Sequence, residues 1–386
     1  MLRALEMPRR LPSEIDLALL WSGLLLLLIG MVMVYSASMA TAEAGRQTGY
    51  QPAYFLFRHA VFVTIGLVAA AVAFQVPLTK WQRWSPWLFV AGFILLALVL
   101  IPGVGRDVNG ARRWLPLLVV NLQPSEMMKL FAVLYAADYT TRKMSYMHDL
   151  KRAFLPLASA MVAVGVLLLK EPDFGAFVVI ISIAISILFL GGMRARLFAI
   201  LILLLAVAFA ALIIISPYRL ERLLGFLNPW SDPFGRGYQL SHALIAFGRG
   251  EWSGVGLGAS VEKLFYLPEA HTDFLLAVVA EELGFIGVLT VIVFFGLVIQ
   301  RAFAIGRQAV ALDRLYSALV AQGIGVWLGV QGFINMGVNM GLLPTKGLTL
   351  PLMSFGGSGI VANCIALAIL LRVDWENRQL MRGGKL

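Results

Sequence analysis

Apolar residues run through this chain in long blocks, and polar residues collect in the short stretches between them. Ten blocks can be marked, at about 15–39, 56–76, 86–102, 124–140, 153–169, 175–192, 195–216, 272–300, 314–337 and 352–371. Each is near the length that ~30 Å of hydrocarbon demands of a tilted helix. The pattern predicts an all-α polytopic integral membrane protein of ten transmembrane helices. Glu126, Lys129 and Asp138 interrupt the fourth block. The first follows Arg9 and Arg10 and ends in SASMA, so a cleaved signal peptide competes with a retained helix. The apolar run from Leu17 to Tyr35 exceeds a typical signal core and further spans follow, which favours the retained helix.

Loop charge orients the spans. With the N-terminus inside, the cytoplasmic set comprises 1–14, 140–152, 191–196, 301–314 and the tail 372–386. The segments 103–126, 170–175, 217–271 and 339–359 fall outside, and the chain reads as one membrane domain, 1–386. The outer segments carry most of the glycine, proline and ionisable clusters, so a site would open to the extracytoplasmic face. Within the large loop 217–271, YRLERLLGFLNP (218–229) has the pattern of an interfacial helix. GYQLSHALIAFGRG (237–250) is apolar enough to dip partway back.

Composition sharpens this picture. The 386 residues are 60% hydrophobic and 13% charged, which excludes an ordinary soluble protein. The net charge of +10 does not imply nucleic acid, because the basic residues lie largely in short loops where they set topology. Cys364 is the single cysteine, so an internal disulfide is excluded. GVGLG (254–258) lacks the spacing of a dinucleotide fingerprint.

The candidate chemistry sits at helix mouths. In YLPEAHTDFLLAVVAEELGF (266–285), Thr272 or Asp273 is placed to begin the eighth helix. The helix dipole favours an ionised Asp273, and burial opposes it. A simple N-cap competes with a catalytic carboxylate. Glu281 and Glu282 lie roughly 12–14 Å deeper, at 1.5 Å per residue. They point away from Asp273 and read as polar links to neighbouring helices. In QPSEMMK, Glu126 and Lys129 are spaced i, i+3, as a plain salt bridge or as a functional intramembrane pair. Arg112, Arg113 and Trp114 precede them, and Lys170, Glu171 and Asp173 come from another outer turn. The glycines of SFGGSG (354–359) serve either close backbone approach or helix packing. A carboxylate among outer-face cations suits a general base acting beside a polyanionic, lipid-bound substrate.

These residues resemble the SEDS (shape, elongation, division and sporulation) family. GARRW, QPSE with Lys129, KEPDFG, RGYQLSHALIAFGRG, YLPEAHTDF with EELG, and LPTKGLTLPLMSFGGSG occur in one order along nearly the whole chain. KLFYLPEAHTDF and LPTKGLTLPL resemble the division-associated FtsW branch rather than the RodA branch. Phe265 departs from the pattern, at a position where many relatives carry a polar or acidic residue.

The resemblance implies a peptidoglycan glycosyltransferase that polymerises lipid II, the undecaprenyl-pyrophosphate disaccharide peptide, at the bacterial inner membrane and the division septum. It assigns Asp273 as general base and Arg113, Lys129 and Lys170 as cations for the pyrophosphate, with Glu126 holding Lys129. It adds Trp114, Gln239, His271, Thr272, Ser354, Gly356 and Gly357 to the substrate surface. Glu171, Asp173, Pro268, Glu269, Glu281 and Glu282 are its supporting residues. It implies a class B penicillin-binding transpeptidase and other division proteins as partners. A divalent cation is compatible with the chemistry, although no carboxylate set in the sequence commits to one. A lipid II flippase and a non-enzymatic division scaffold are the alternative readings.

Overall fold

A computed structural model describes residues 14–108, 111–116, 121–146 and 154–384. The ten apolar blocks each correspond to a helix: α1 Leu17–Ala44, α2 Tyr54–Gln75, α3 Leu78–Val99, α4 Pro124–Arg142, α5 Leu155–Lys170, α6 Phe174–Leu190, α7 Ala195–Ile214, α10 Leu275–Ala311, α11 Leu315–Asn339 and α12 Gly357–Met381. Two further helices, α8 Pro217–Leu227 and α9 Tyr238–Gly250, lie in the large loop where the sequence pattern puts them. Among the described residues, α1, α2, α3, α7, α10, α11 and α12 are long and apolar enough to cross a membrane. The chain is therefore a mostly helical, multi-pass membrane protein.

α11 is the spine of the bundle, packed against α4, α6, α9, α10 and α12. α12 lies along α2, while α1 rests on α10 and α2. α7 is peripheral, with Leu201 as its single buried residue. This layout brings the N-terminal ends of α4, α10 and α12 and the C-terminal end of α11 together with the turn between α5 and α6.

Several helices run further than their apolar blocks: α1 continues to Ala44 rather than 39, α3 starts at Leu78 rather than 86, and α10 and α12 extend most. α10 starts at Leu275 rather than 272 and continues to Ala311 rather than 300; α12 starts at Gly357 rather than 352 and continues to Met381 rather than 371. At the C-terminal ends of both helices the apolar pattern stops because charges begin, but the helices persist because those charges pair. Arg301 Nε donates to Asp16 Oδ2 at 2.7 Å, Arg372 Nε to Glu376 Oε1 at 2.9 Å, and Arg378 Nε to Asp374 Oδ2 at 2.7 Å.

The all-α expectation also missed a small sheet in the outer connection after α3. Strands β1 Arg106–Val108, β2 Ala111–Pro116 and β3 Asn121–Leu122 form an antiparallel sheet in the order β1-β2-β3. Arg106 pairs with Trp114 and Leu115 with Leu122. Strands this short leave no readable alternation in the sequence.

α10 is broken inside its apolar run. Gly284 has φ 64° and ψ −162°, a backbone conformation open to glycine and closed to most side chains. The loop after α9 fills the break. Val255 N–H donates to Glu281 O at 2.9 Å and Gly256 N–H to Glu282 O at 3.1 Å, while Phe285 N–H donates to Glu251 O at 2.9 Å. Backbone groups freed by a break at membrane depth need such partners from protein.

Candidate active site

Asp273 lies two residues before α10. The N-cap position belongs to Phe274, which makes no side-chain cap. A first-turn amide, Ala277 N–H, is shared between Phe274 O at 3.0 Å and Asn339 Oδ1 of α11 at 3.1 Å. Asp273 is thus not the helix cap, and its carboxylate is left for other work. Its backbone carbonyl accepts from Asn335 Nδ2 at 2.8 Å and from Asn339 Nδ2 at 3.0 Å.

Opposite Asp273 runs the segment between α11 and α12. A methyl group built on Gly347 would lie 3.4 Å from Asp273 Oδ2 and 3.9 Å from Arg113 Nη1. Carboxylate and guanidinium therefore converge on bare backbone. Arg113 projects from β2 and is hung on main-chain carbonyls, with Nε donating to Glu171 O at 3.1 Å and Nη2 to Pro172 O at 2.5 Å. Two carbonyls orient the guanidinium without cancelling its charge.

The electrostatics arise from that packing. Burial, and next the neighbouring Glu269, push the Asp273 carboxyl up to about 7, against the pull of Arg113 and Arg222. Burial and Asp173 push Glu171 up to about 8, so it is largely neutral at pH 7. Both Glu171 carboxyl oxygens are buried without a hydrogen-bond partner, which fits the neutral form. Burial lowers the proton affinity of His271. Its ring packs on Phe55 at 4.7 Å and Phe355 at 5.6 Å, and its carbonyl accepts from Phe355 N–H at 3.0 Å.

The other predicted residues divide between this surface and its support. Thr272 Oγ1 donates to Glu269 Oε2 at 2.6 Å within the turn after the exposed Pro268. Trp114 stands half-buried beside Arg113, and Gln239 stands half-buried in the first turn of α9. Asp173 caps α6 through Ala176 N–H at 3.1 Å and accepts from Ser125 Oγ at 2.8 Å. Lys170 is exposed at the end of α5.

Lys129 has a different setting from Arg113. It is fully buried, with its ammonium 2.7 Å from Glu126 Oε1 and 2.7 Å from Gln331 Oε1. Ser354 Oγ accepts from Leu350 N–H at 2.9 Å. Gly356 forms the N-cap of α12, and a methyl on Gly357 would fall 2.5 Å from the Phe62 ring. Gly357 therefore lets α12 pack on α2.

Glu281 and Glu282 hold the loop after α9. Glu281 accepts from Ser260 Oγ at 2.5 Å and Val261 N–H at 3.0 Å, and pairs with Arg249 at 3.0 Å. Glu282 accepts from Ser36 Oγ at 2.6 Å, Lys263 Nζ at 2.6 Å and Gly258 N–H at 2.9 Å.

Sequence reasoning passed over Arg222, Lys346, Gly347, Asn335 and Asn339. Arg222 Nη1 approaches Thr345 O at 3.5 Å and its charge bears on Asp273. Lys346 Nζ lies 4.1 Å from the Phe174 ring centroid. The spacing of Gln331, Asn335 and Asn339, four apart in an apolar helix, was the available signal for the last two. Among the described residues, no three His, Cys, Asp or Glu side chains are grouped to hold a metal ion.

The chain is similar to several known proteins over nearly its whole length. A relative from Aromatoleum aromaticum, named probable peptidoglycan glycosyltransferase FtsW, is 68% identical over 96% of this chain and 90% of its own length. A relative of the same name from Burkholderia thailandensis is 56% identical over 97% of this chain and 81% of its own. A chain of a solved peptidoglycan synthase complex that coordinates polymerization and crosslinking superposes with a TM-score of 0.75. It is 29% identical, covering 95% of this chain and 99% of that one. The rod shape determining protein RodA of Thermus thermophilus superposes with a TM-score of 0.67 at 27% identity, covering 96% and 99% of the two chains. Residues 17–379 match the FtsW, RodA and SpoVE family, described as cell cycle proteins. Matching the family over residues 17–379, and relatives at 56–68% identity over nearly its whole length, the chain belongs to the FtsW/RodA/SpoVE family.

Proposed function

We propose that this chain is a peptidoglycan glycosyltransferase that polymerises lipid II at the outer face of the bacterial inner membrane, with Asp273 as general base. The observation that carries the reading is the Asp273 carboxylate, uncommitted to capping, facing Arg113 across the bare backbone of Gly347. The relatives' shared name supplies the reaction class.

In the reaction, the acceptor's GlcNAc 4-hydroxyl attacks the anomeric carbon of the donor disaccharide. Asp273 takes the hydroxyl proton as the new glycosidic bond forms. The anomeric carbon–oxygen bond to the lipid pyrophosphate breaks, and its electron pair leaves with the pyrophosphate. A base in hydrogen-bond reach contributes ~10²–10⁴ in rate. A carboxyl held near 7 suits that task, since it is ionised enough to accept the proton and basic enough to keep it.

Arg113, carried on carbonyls and still cationic, faces the developing pyrophosphate charge, with Arg222, Lys346 and the exposed Lys170 as further cations around the outer opening. Glu126 and Lys129 act from beneath as support. The chain crosses the membrane ten times with both termini cytoplasmic and 217–271 outside. It works at the septum with a class B penicillin-binding transpeptidase and other division proteins, in keeping with the synthase complex that its fold resembles.

The test is lipid II polymerisation by the purified protein with its cognate transpeptidase. Wild type yields glycan polymer, and Asp273→Asn, folded and still bound to its partner, yields at least about a hundredfold less. Equal polymer from both would remove Asp273 from the mechanism.

A further inference from the structure

α11 carries a row of carboxamides in an otherwise apolar helix. Gln331, Asn335 and Asn339 recur every fourth residue and are 0%, 2% and 0% exposed. Buried carboxamides in a membrane helix are costly unless bonded, so their partners indicate what they do. All three reach the two segments that form the candidate site. Asn335 Nδ2 donates both to Asp273 O at 2.8 Å and to Leu348 O at 2.6 Å. Asn339 bonds Asp273 O at 3.0 Å through Nδ2 and Ala277 N–H at 3.1 Å through Oδ1. Gln331 Nε2 donates to Thr349 O at 2.9 Å, while its Oε1 accepts from Lys129 at 2.7 Å and Trp327 Nε1 at 2.9 Å.

We infer that this carboxamide ladder is the positioning device of the site: Asn335, braced by Asn339 through its carbonyl at 2.9 Å, fixes the distance between Asp273 and the Lys346–Thr349 segment, and so the width of the slot over Gly347 in which the acceptor sugar's hydroxyl sits. The slot is narrow by construction. A methyl at Gly347 would already touch the Asp273 carboxylate at 3.4 Å, so small changes in that distance decide whether a sugar hydroxyl fits. Asn335 is the one residue of the three that grips both walls, through a single amide nitrogen. Gln331 anchors the far wall to the buried Glu126–Lys129 pair, which gives that pair a role that needs no contact with substrate. The acceptor assignment rests on the proposed glycosyltransferase activity; the gripping of the two walls does not.

Two measurements separate these layers. In the first, Asp273→Cys and Gly347→Cys are combined in a Cys364→Ala background, and oxidative crosslinking is timed in detergent with copper phenanthroline. The pair closes readily when Asn335 and Asn339 are intact, and closure slows at least about tenfold when either becomes Ala, because the walls are no longer tied at their contact distance. In the second, Asn335→Ala is assayed for lipid II polymerisation in the otherwise native chain. The kcat falls about ten- to hundredfold with KM within twofold, the result expected when geometry at the reacting atoms is lost and substrate binding is kept.

The pH midpoint of kcat/KM also moves down, as Asp273 gains water. The charges facing it are Glu269 from its own turn, Arg113 from β2, Arg222 from α8 and Asp173 from the turn before α6, and none of these is altered. A variant that merely folds poorly would lose active molecules without moving the midpoint. Unchanged crosslinking together with a kcat within twofold of wild type would overturn the inference. Slowed crosslinking with no polymer from any form, wild type included, would keep the ladder and discard the glycosyltransferase reading.

Discussion

Asp273 sits where two demands on a carboxylate conflict. Burial and Glu269 favour the proton, while Arg113 and Arg222 favour the charge, leaving the group near 7. Because a base must be ionised, kcat/KM should rise as pH climbs through about 7 and level off above it. Removing one neighbour at a time should move that midpoint in opposite directions. Glu269→Gln removes a negative charge and lowers it; Arg222→Gln removes a positive one and raises it. Shifts of the same sign in both variants would exclude the charge balance described here. Stability gives an independent check. A carboxyl whose folded-state value lies above its ordinary range destabilises the fold once pH exceeds that ordinary range, and fully so above about 7. Asp273→Asn should therefore melt higher than wild type at pH 8, with the advantage shrinking as pH falls from 7 toward 4. An equal difference at both ends of that window would show that the carboxyl is not strained by burial.

At the scale of elements, the break in α10 explains why two glutamates persist in an apolar run. The turn at Gly284 frees carbonyls that the loop after α9 fills, and the side chains of Glu281 and Glu282 bolt the same loop down. Glu282 is the partner of Lys263, whose side chain is 2% exposed. Glu282→Ala should cost about 3–5 kcal/mol, because it strands a buried ammonium, whereas removing both members with apolar replacements costs less. Thermal unfolding of the single and double variants in detergent measures the difference, and equal losses would show that the pair is not coupled. The sequence made the need for polar partners at Glu281 and Glu282 legible, because charge in an apolar run is conspicuous. It hid the identity of the partners, since Ser36, Ser260 and Lys263 come from distant or irregular chain. The Asp273 mouth was legible for the same reason. The α11 ladder was not, because carboxamides carry no charge to mark a site, and Gly347 was silent because its contribution is the absence of a side chain.

For the whole molecule, the helix ends opposite the site form a second fixed frame. Glu376 of α12 accepts from Leu78 N–H at the start of α3 at 3.1 Å and from Arg372 at 2.9 Å, and it also pairs with Arg314 at the start of α11. Asn377 accepts from Arg314 at 2.9 Å and donates to Ile305 O of α10 at 3.2 Å. Asp16 caps α1 through Leu19 N–H at 3.0 Å and binds Arg301 of α10. The segment after 371, which by hydropathy alone reads as a polar tail, is therefore the keystone that locks α1, α3, α10 and α11 around α12. Ending the chain after Arg372 removes Glu376 and Asn377 and leaves Arg314 without either acceptor. Ending it after Met381 keeps α12 whole and both acceptors in place. The shorter chain should fail to give a monodisperse peak on size-exclusion chromatography in detergent, while the longer one should elute as the full chain does and match it in the lipid II polymerisation assay. Because α11 carries both the Arg314 anchor and the ladder that grips Asp273, loosening the second frame should also slow the Asp273→Cys/Gly347→Cys crosslink. Glu376→Gln, milder than truncation, tests this. A crosslinking rate unaffected by that substitution would show that the two ends of the bundle are mechanically independent.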